Sequence, residues 1–450
     1  MRAPTHLALA ALLFACEGGS SPAVRIEIID PAGENAAQDV IDGTLTVRVT
    51  QAGASLCADG CSSAIAGGAF DLALPLENLV DLMHVRGRIT GAPTALVGAM
   101  APFAIAQEFE TGELPLRLVM MPPGTCAPVS LFNVSSAGRP RLVEPRRDLG
   151  VAVRRNVVLL VGGRHASGGS NRADLFDQIV FEMRPPLSSP GGALGPTRAL
   201  RFDENTALFV GQTAWIYESQ PYAPPAAVPV SVHEGAGFAS ALALLRNTGA
   251  VIGGEGTNQV SWMTARTVVA TTELREPRAF AAAAAGGEGV LVVGGGPGAE
   301  WIGPVGAAVS VGGFVPESIG GWVAVSPSGR TFLAIGGSGA ETTLVTGCPA
   351  CVASPGPTWS RARSGASAVQ TAAGALWIVG GEGSDAIDRV VWDGETPRIL
   401  EDPAFVLSGA RAGAAVAEHA AGVVLVVGGE GPGGMLDGAE LCTPPEGLDP

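Results

Sequence analysis

Short apolar runs, each followed directly by a pair of glycines, recur along the last two thirds of the chain. The pairs are Gly162-Gly163, Gly253-Gly254, Gly294-Gly295, Gly336-Gly337, Gly380-Gly381 and Gly428-Gly429. A weaker copy, residues 207–210 before Gly211, fills the one wide gap. The first glycines stand at positions 162, 211, 253, 294, 336, 380 and 428, so the copies are 41 to 49 residues apart. This period is typical of one small antiparallel sheet per repeat, and it predicts a β-propeller.

Each copy can be divided into four strands, of which the second ends at the glycines. The third strands are predicted over residues 173–181, 213–217, 258–263, 299–302, 341–346, 387–392 and 438–443. Trp215, Trp262, Trp301 and Trp392 fall within them, where large side chains would pack between neighbouring sheets. An arginine recurs ahead of most first strands and is absent before the copies of Gly253 and Gly336. These arginines are Arg147, Arg198, Arg278, Arg363 and Arg411.

An apolar strand closed by two glycines, with an arginine upstream and a tryptophan downstream, resembles the Kelch repeat. The resemblance covers roughly residues 126–443. It implies an all-β, Kelch-like propeller similar to the central domain of galactose oxidase. The propeller has seven blades if the copy at Gly211 is counted, and six if it is not, because Gln212 replaces the second glycine there. Glycine fits this strand end because the chain turns with φ above zero beside the next sheet.

Residues 23–122 lack the glycine pairs and alternate apolar and polar positions instead. Gly, Pro and Asp separate the alternating stretches, which are residues 24–28, 44–49, 70–74, 85–89 and 114–119. This pattern predicts a small β-sandwich of the immunoglobulin-like kind. Residues 121–124, Met-Pro-Pro-Gly, mark the boundary, so the propeller is expected over residues 123–450.

Residues 1–15 carry an early arginine and a brief apolar stretch, as a secretory signal peptide does. Residues 13–16, Leu-Phe-Ala-Cys, are similar to the lipobox of bacterial lipoproteins, in which the cysteine receives diacylglycerol. The resemblance implies lipidation at Cys16, a flexible tether over residues 16–22 and attachment to the bacterial cell envelope, at the outer membrane or the cell surface. An ordinary cleaved signal with an incidental cysteine is the alternative.

The chain has seven cysteines, and six remain when Cys16 is set aside, an even number suited to an oxidising compartment. Local disulfides are predicted for Cys57 with Cys61 and for Cys348 with Cys351. A redox motif at Cys348 and Cys351 is the alternative for the second pair. If residues 127–134 complete the last sheet, Cys126 and Cys442 lie on adjacent strands and can form a disulfide that closes the ring.

The charge and composition exclude several classes of function. The net charge of −15 argues against nucleic-acid binding, which needs a basic surface. All 27 basic residues are arginine, so Schiff-base chemistry and a phosphate-loop lysine are excluded. Glu255, Glu382 and Glu430 each follow a glycine pair and would share one face of a propeller, which makes them candidates for a calcium site. Solvated loops are the favoured interpretation of these glutamates.

Some proteins with Kelch-like propellers are copper-radical oxidases that resemble galactose oxidase, and this chemistry needs two tyrosines and two histidines on one metal. The mature chain has two tyrosines, Tyr217 and Tyr222, close together on one repeat. Its histidines are His84, His165, His233 and His419. Their spacing does not point to a shared copper ion. No catalytic residue and no cofactor is therefore predicted.

These observations together predict a lipid-anchored binding protein of the cell envelope. Its propeller would recognise an envelope protein or a surface polysaccharide without catalysis, and its contact with the membrane would be through the lipid anchor only. The main alternative is an envelope carbohydrate-active enzyme or oxidase with a site at the propeller axis, and a purely structural role is a third. All three rest on the likeness of fold, because propellers carry unrelated functions.

Overall fold

The computed structural model describes most of the chain after residue 22. The described residues are 23–31, 36, 41–51, 54–55, 61–64, 69–73, 83–92, 95–102, 116–129, 141–154, 156–179, 182–184, 194–218, 226–313, 321–336, 340–361 and 363–446. They form strands, turns and irregular segments, so none of these ranges holds a helix that could cross a membrane. Cys16 and Cys57 lie outside the described residues, and lipidation at Cys16 and a bridge between Cys57 and Cys61 stay predictions.

The N-terminal module, residues 23–121, is built from eight strands. They are β1 (Ala23–Ile29), β2 (Ile41–Gln51), β3 (Ala54–Ser55), β4 (Cys61–Ala64), β5 (Ala69–Ala73), β6 (Met83–Ala92), β7 (Leu96–Ala99) and β8 (Leu116–Met121). The strand order is β3-β2-β6-β7-β8-β1-β5, with β4 paired to β2. β8 pairs with β7 at one end and with β1 at the other, so it joins two leaves of sheet.

The two leaves of this module enclose one apolar core. Ile28 of β1, Val47 of β2, Ile89 of β6 and Leu118 of β8 are all buried in it. Alternate residues of β2 and β6 are buried, as the period-2 pattern predicts. The assignment of residues 23–122 as an immunoglobulin-like sandwich domain stays a prediction.

From residue 126 onward, the described residues form seven four-stranded sheets, which we number in chain order. Sheet 1 contains β10 (Gly150–Arg154), β11 (Val157–Val161), β14 (Ala173–Asp177) and β15 (Glu182–Arg184). Sheet 2 contains β16 (Arg198–Arg201), β17 (Thr206–Val210), β18 (Ala214–Glu218) and β19 (Ala226–Val230). Sheet 3 contains β20 (Ala241–Leu245), β21 (Thr248–Ile252), β22 (Gln259–Met263) and β23 (Val268–Glu273).

The remaining sheets follow the same plan. Sheet 4 contains β24 (Ala282–Gly286), β25 (Gly289–Val293), β26 (Ala299–Ile302) and β27 (Val309–Ser310). Sheet 5 contains β28 (Trp322–Val325), β29 (Thr331–Ile335), β30 (Thr342–Thr346) and β31 (Val352–Pro355). Sheet 6 contains β32 (Ser367–Gln370), β33 (Leu376–Val379), β34 (Ala386–Asp393) and β35 (Thr396–Val406). Sheet 7 contains β36 (Ala415–Ala420), β37 (Val423–Val427), β40 (Ala439–Cys442) and β9 (Cys126–Pro128).

The repeat pattern of the sequence corresponds closely to these sheets. Every second strand ends directly before a repeat glycine, including β17 before Gly211, and every third strand begins within one residue of its predicted start. The largest difference is at β14, which ends at Asp177 rather than at residue 181. Trp262 and Trp301 are buried, whereas Trp215 and Trp392 are partly buried.

The ring closes where the last sheet of the propeller meets its first sheet. The first strands of successive sheets lie side by side, and β36 of sheet 7 contacts β10 of sheet 1. β9 completes sheet 7, and Cys126 stands directly opposite Cys442, with which it forms the predicted disulfide. Because this bridge joins residues 316 positions apart, the chain-entropy model gives it roughly 6 kcal/mol of stabilisation. The closing strand covers Cys126–Pro128, and residues 130–134 of the predicted strand lie outside the described residues.

The N-terminal module packs directly on the seam between sheets 7 and 1. Val97, Ala99 and Val119 of the module share one apolar cluster with strands of both sheets. His419 of β36 is buried in this seam, with its Nδ1 atom 2.8 Å from Oε1 of Gln178 in sheet 1. Burial lowers the pKa of His419 to about 4, against the opposing effect of a hydrogen bond with the backbone of Ala99.

Candidate functional site

The end of each sheet where the second strand stops and the first strand begins carries the repeat glycines, and we call it the Gly-Gly face. In sheets 1, 4, 6 and 7 a buried arginine lies beneath the loop between the second and third strands. Each arginine pairs with a carboxylate residue of the third strand. In all four sheets this residue stands opposite the second-to-last residue of the second strand. The pairs are Arg146 with Asp174, Arg278 with Glu300, Arg363 with Asp388, and Arg411 with Glu440.

Each of these arginines also holds backbone carbonyls at the two ends of its loop. Arg278 donates from Nη1 to the oxygens of Gly294 and Gly298, at 2.8 and 3.2 Å. Arg411 does the same with Gly428 and Gly438, both at 3.1 Å. The planar guanidinium, with five N–H donors, is suited to bind a carboxylate and two carbonyls at once. The pair therefore fixes the loop from below.

Two of the arginines predicted from the sequence do not have this role. In sheet 1 the buried arginine is Arg146, which is fully buried, whereas Arg147 is partly exposed and pairs with Glu430. In sheet 2 Arg198 lies within β16 and donates to the carbonyl of Phe238 at 2.8 Å. Repeat spacing does not distinguish Arg146 from the adjacent Arg147, and Arg198 lies within the first strand of its sheet rather than ahead of it.

Sheets 2, 3 and 5 have neutral residues in place of the carboxylate: Trp215, Ser261 and Thr343. In sheet 3 a histidine replaces the arginine. His233 has Nε2 at 2.9 Å from the oxygen of Gly253 and Nδ1 at 2.9 Å from Oγ of Ser261. Because a carbonyl only accepts hydrogen bonds, Nε2 carries the proton and Nδ1 accepts from the serine hydroxyl. Burial lowers the pKa of His233, which favours this neutral form.

The loops of the Gly-Gly face differ in length around the ring. In sheets 1 and 7 they cover residues 162–172 and 428–438 and form two small hairpins, β12 (Arg164–His165) with β13 (Gly168–Gly169), and β38 (Glu430–Gly431) with β39 (Gly434–Met435). In sheet 2 the loop covers residues 211–213 alone. The short loop of sheet 2 leaves a gap beside the hairpin of sheet 1 and the loops of sheet 3.

We call this gap the notch. Its volume is about 760 Å³, within the range of about 300–1,000 Å³ that small-ligand sites have. Side chains and backbone of sheets 1 to 4 line it. Those that matter here are Arg164, Gln212, Glu234, Phe238, Glu255 and Phe280.

Two phenylalanines form the apolar part of the notch. Phe238 and Phe280 pack edge to face with ring centroids 6.1 Å apart, and the guanidinium of Arg198 lies over the Phe238 ring at 5.3 Å. Phe280 has a φ of 59°, a left-handed conformation that is costly for a bulky residue. The corresponding positions of sheets 6 and 7 are Gly365 and Gly413. A phenylalanine with a strained backbone, at a position where sheets 6 and 7 have glycine, marks a candidate functional position.

A group of charged residues lies at the boundary between sheets 7 and 1, and Arg164 connects this group to the notch. Asp148, two residues after Arg146, also has a positive φ of 56°. Its carboxylate lies 3.5 Å from Arg147 and 3.6 Å from Arg164. Burial raises the pKa of Asp148, and the neighbouring arginines act in the opposite direction. Glu430 pairs with Arg147 across the two hairpins, so this group is one connected network.

The structure separates the three glutamates considered for calcium. Glu255 lines the notch, Glu430 is paired with Arg147, and Glu382 is an exposed residue of the loop of sheet 6. Within the ranges described above, the histidines, cysteines and carboxylates do not gather in groups of three that could hold a metal ion. Cys348 and Cys351 form the predicted disulfide and pack in the apolar cluster of sheets 4 and 5, a structural position.

The residues also do not fit a copper-radical site. Tyr217 is buried in sheet 2, where its ring packs against Phe209 at 5.2 Å and burial raises its pKa. Tyr222 lies outside the described residues. The four histidines are distributed over the N-terminal module, the sheet 1 hairpin, sheet 3 and the sheet 7 seam. Tyrosine and histidine donors are therefore not assembled around one point in the described part of the chain.

Comparison with solved structures places the chain among propellers. A fungal alcohol oxidase of the AA5 family, solved in complex with copper, matches with a TM-score of 0.52 and 16% identity over 70% of this chain and 77% of that one. A catalytically inactive virginiamycin B lyase from Staphylococcus aureus, solved with quinupristin, gives 0.48 and 13% over 70% and 98%. A streptogramin B lyase gives 0.47 and 12% over 67% and 95%.

The chain has an all-β propeller fold. Identities this low show the fold and leave the chemistry of the neighbours with those proteins. No family model matches the sequence, and the search of curated proteins finds no match. The Kelch resemblance therefore stays a prediction from the residues.

Sequence reasoning identified the face that carries the notch but missed most of its lining. Glu255 was singled out, as a metal ligand, whereas Arg164, Glu234, Phe238 and Phe280 were not. The available signal was the copy at Gly211. A repeat that loses its second glycine and shortens its loop breaks the pattern of its neighbours, and such breaks are expected at functional sites.

Proposed function

We propose that this protein is a lipid-anchored binding protein of the cell envelope, and that its propeller recognises a protein or glycan partner through the notch. The observation that carries the proposal is the position of the notch. It opens over sheet 2, where the repeat motif is incomplete, and it combines arginine, glutamate and phenylalanine side chains in one cavity. Concave sites with an apolar base and a few polar groups are typical of ligand recognition.

The lining favours recognition over catalysis. Glu234 and Glu255 are two carboxylates in one cavity, which is the observation in favour of a carbohydrate-active enzyme. Both are exposed, however, whereas the acid of a glycosidase is kept protonated by an apolar environment. His233 uses both ring nitrogens within sheet 3 and is not available as a base. An enzyme is therefore the second candidate.

The proposal is tested by cross-linking in cells followed by affinity purification of the full-length protein. Cys16→Ala removes the predicted acylation site, and Gln212→Trp fills the notch with a bulky side chain at an exposed position. We expect one stoichiometric envelope partner, protein or polysaccharide, whose recovery falls at least tenfold with either change. Equal recovery with Gln212→Trp would show that the notch is not the binding surface. Equal recovery with Cys16→Ala would show that anchoring is not needed.

A further inference from the structure

The two sides of the notch carry opposite charges. Arg164 belongs to the sheet 1 hairpin, and its side chain is 47% exposed. Glu234 lies in the connection from sheet 2 to sheet 3, Glu255 lies in the loop between the second and third strands of sheet 3, and both are exposed. All three residues line the same cavity, with Phe238 and Phe280 as its apolar part.

On the sheet 1 side the charged residue that lines the notch is Arg164. Asp148 is shared by Arg147 and Arg164, and Glu430 pairs with Arg147. The Nε atom of Arg164 lies 3.6 Å from the carboxylate of Asp148, which Arg164 shares with Arg147. A guanidinium in this position can bind a second carboxylate in bidentate geometry, with Asp148 keeping it oriented.

The sheet 3 side has an excess of negative charge. The loops that carry Glu234 and Glu255 are in direct backbone contact, since a Cβ atom on Gly235 would lie 2.9 Å from the oxygen of Glu255. Within the described ranges neither glutamate forms an ion pair. Two neighbouring carboxylates without a cation attract a positively charged group.

We infer that the notch binds a short peptide with free ends, its amino group toward Glu234 and Glu255 and its carboxylate toward Arg164. This inference rests on the proposed function and assigns the ligand of the notch to peptide rather than glycan chemistry. A neutral glycan would leave both charged walls without a partner, and an acidic polysaccharide would be repelled by the glutamates. A dipolar ligand satisfies both walls, and its side chains can pack on Phe238 and Phe280.

The test uses a randomised tetrapeptide pool in three forms: with free ends, with acetylated amino ends, and with amidated carboxyl ends. The purified protein is incubated with each pool, and retained peptides are measured by mass spectrometry after size-exclusion separation. We expect the pool with free ends to be retained at least tenfold more than either blocked pool. Equal retention of the three pools, or retention of none, would overturn the inference.

Variants assign each end of the ligand. Arg164→Gln should abolish the preference for a free carboxylate, and the double change Glu234→Gln with Glu255→Gln should abolish the preference for a free amino group. Arg330→Gln and Glu288→Gln, exposed residues of a groove on the opposite face, are matched controls and should change neither preference. An effect of the controls as large as that of the notch variants would contradict the assignment.

The variant Gln212→Trp and the peptide pools together distinguish failure of this inference from failure of the proposed function. If Gln212→Trp reduces capture of the partner in cells while no peptide pool is retained, the notch binds a partner of other chemistry and the peptide inference is wrong. If capture is unchanged by Gln212→Trp while free peptides are retained by the wild-type protein, the notch binds peptides but is not the surface for the envelope partner.

Discussion

The seven sheets share one backbone plan but differ in what lies beneath their Gly-Gly loops. Sheets 1, 4, 6 and 7 have a buried arginine paired with a carboxylate, and this pair fixes both ends of the loop. Sheets 2, 3 and 5 have Trp215, Ser261 and Thr343 instead of the carboxylate. The notch opens over sheets 2 and 3. The comparison shows that the ring is built from sheets with and without the charged pair. Of the three sheets without it, sheet 2 has its loop reduced to residues 211–213.

The pair is better understood as a constraint on geometry than as a source of net stability. Burial raises the pKa of Asp174 and of Asp388, which shows that removing these carboxylates from water costs free energy. Replacing a whole buried ion pair by apolar residues is often neutral, whereas removing one partner is strongly destabilising. In sheet 3 the corresponding carbonyl is that of Gly253. It accepts hydrogen bonds from His233 and Ser240, so no charged group is needed there.

Breaking one pair should give the largest effect. Arg278→Met leaves Glu300 buried without its partner and frees the carbonyls of the sheet 4 loop. We expect the free energy of unfolding to fall by about 3–5 kcal/mol, measured by denaturant titration. Arg330→Met, at an exposed position, should change it by less than about 0.5 kcal/mol. If the double change Arg278→Met with Glu300→Met is as destabilising as the single one, the unpaired carboxylate is not the cause.

Acid should destabilise the seam between sheets 7 and 1, which both contain the charged pair, through protonation of His419. Its pKa of about 4 lies below the ordinary value of 6.5, so the folded protein favours the neutral ring. The stability from this group is complete above pH 6.5 and is lost as the pH falls toward 4, by roughly 3 kcal/mol in total.

The measurement is the free energy of unfolding at pH values from 7.5 to 4.5 for the wild-type protein and for His419→Gln. The variant should be less stable at pH 7.5 and should lose less stability on acidification. Parallel curves for wild type and His419→Gln would rule out the seam as the acid-sensitive element.

Sheet 3 should be sensitive to acid through His233. The pKa of His233 is lowered by burial, so its contribution is present above pH 6.5 and decreases as the pH falls through the lowered value. Protonation of Nδ1 removes the hydrogen bond from Ser261, a loss of about 1 kcal/mol. In a His419→Gln background, adding His233→Gln should flatten the remaining pH dependence of unfolding between pH 7 and 5. An unchanged slope would contradict this role.

The sequence predicts the ring much better than the notch, and the reason is physical. The strands, the repeat period and the Cys126–Cys442 disulfide depend on local apolar patterning and on closure of the last sheet, and both are visible in a repeat. Of the arginines that recur ahead of the first strands, Arg278, Arg363 and Arg411 are buried, and the repeat locates them without indicating their burial. At residues 146 and 147 two arginines are adjacent, and burial alone decides between them.

The notch could not be predicted because it depends on the relation between loops of different sheets. Arg164 and Glu234 are 70 residues apart and Glu234 and Phe280 are 46 residues apart, and they come together beside the short loop of sheet 2. Phe280 carries no signal in the sequence, since its left-handed conformation is evident only beside the glycines of sheets 6 and 7. The single clue was the incomplete glycine pair at Gly211.

The smallest effect on stability, and the clearest test of the difference between sheets, is expected for Phe280→Gly. Glycine would remove a left-handed strain of about 1 kcal/mol and would also remove the packing against Phe238, worth about 0.5–1.5 kcal/mol. The free energy of unfolding should therefore change by less than about 1 kcal/mol, while retention of free-ended peptides should fall at least fivefold. Gly365→Ala, at the same position of sheet 6, should lower stability by about 1 kcal/mol and leave peptide retention unchanged. A variant Phe280→Gly that binds as the wild type does would show that sheet 4 keeps phenylalanine for packing alone.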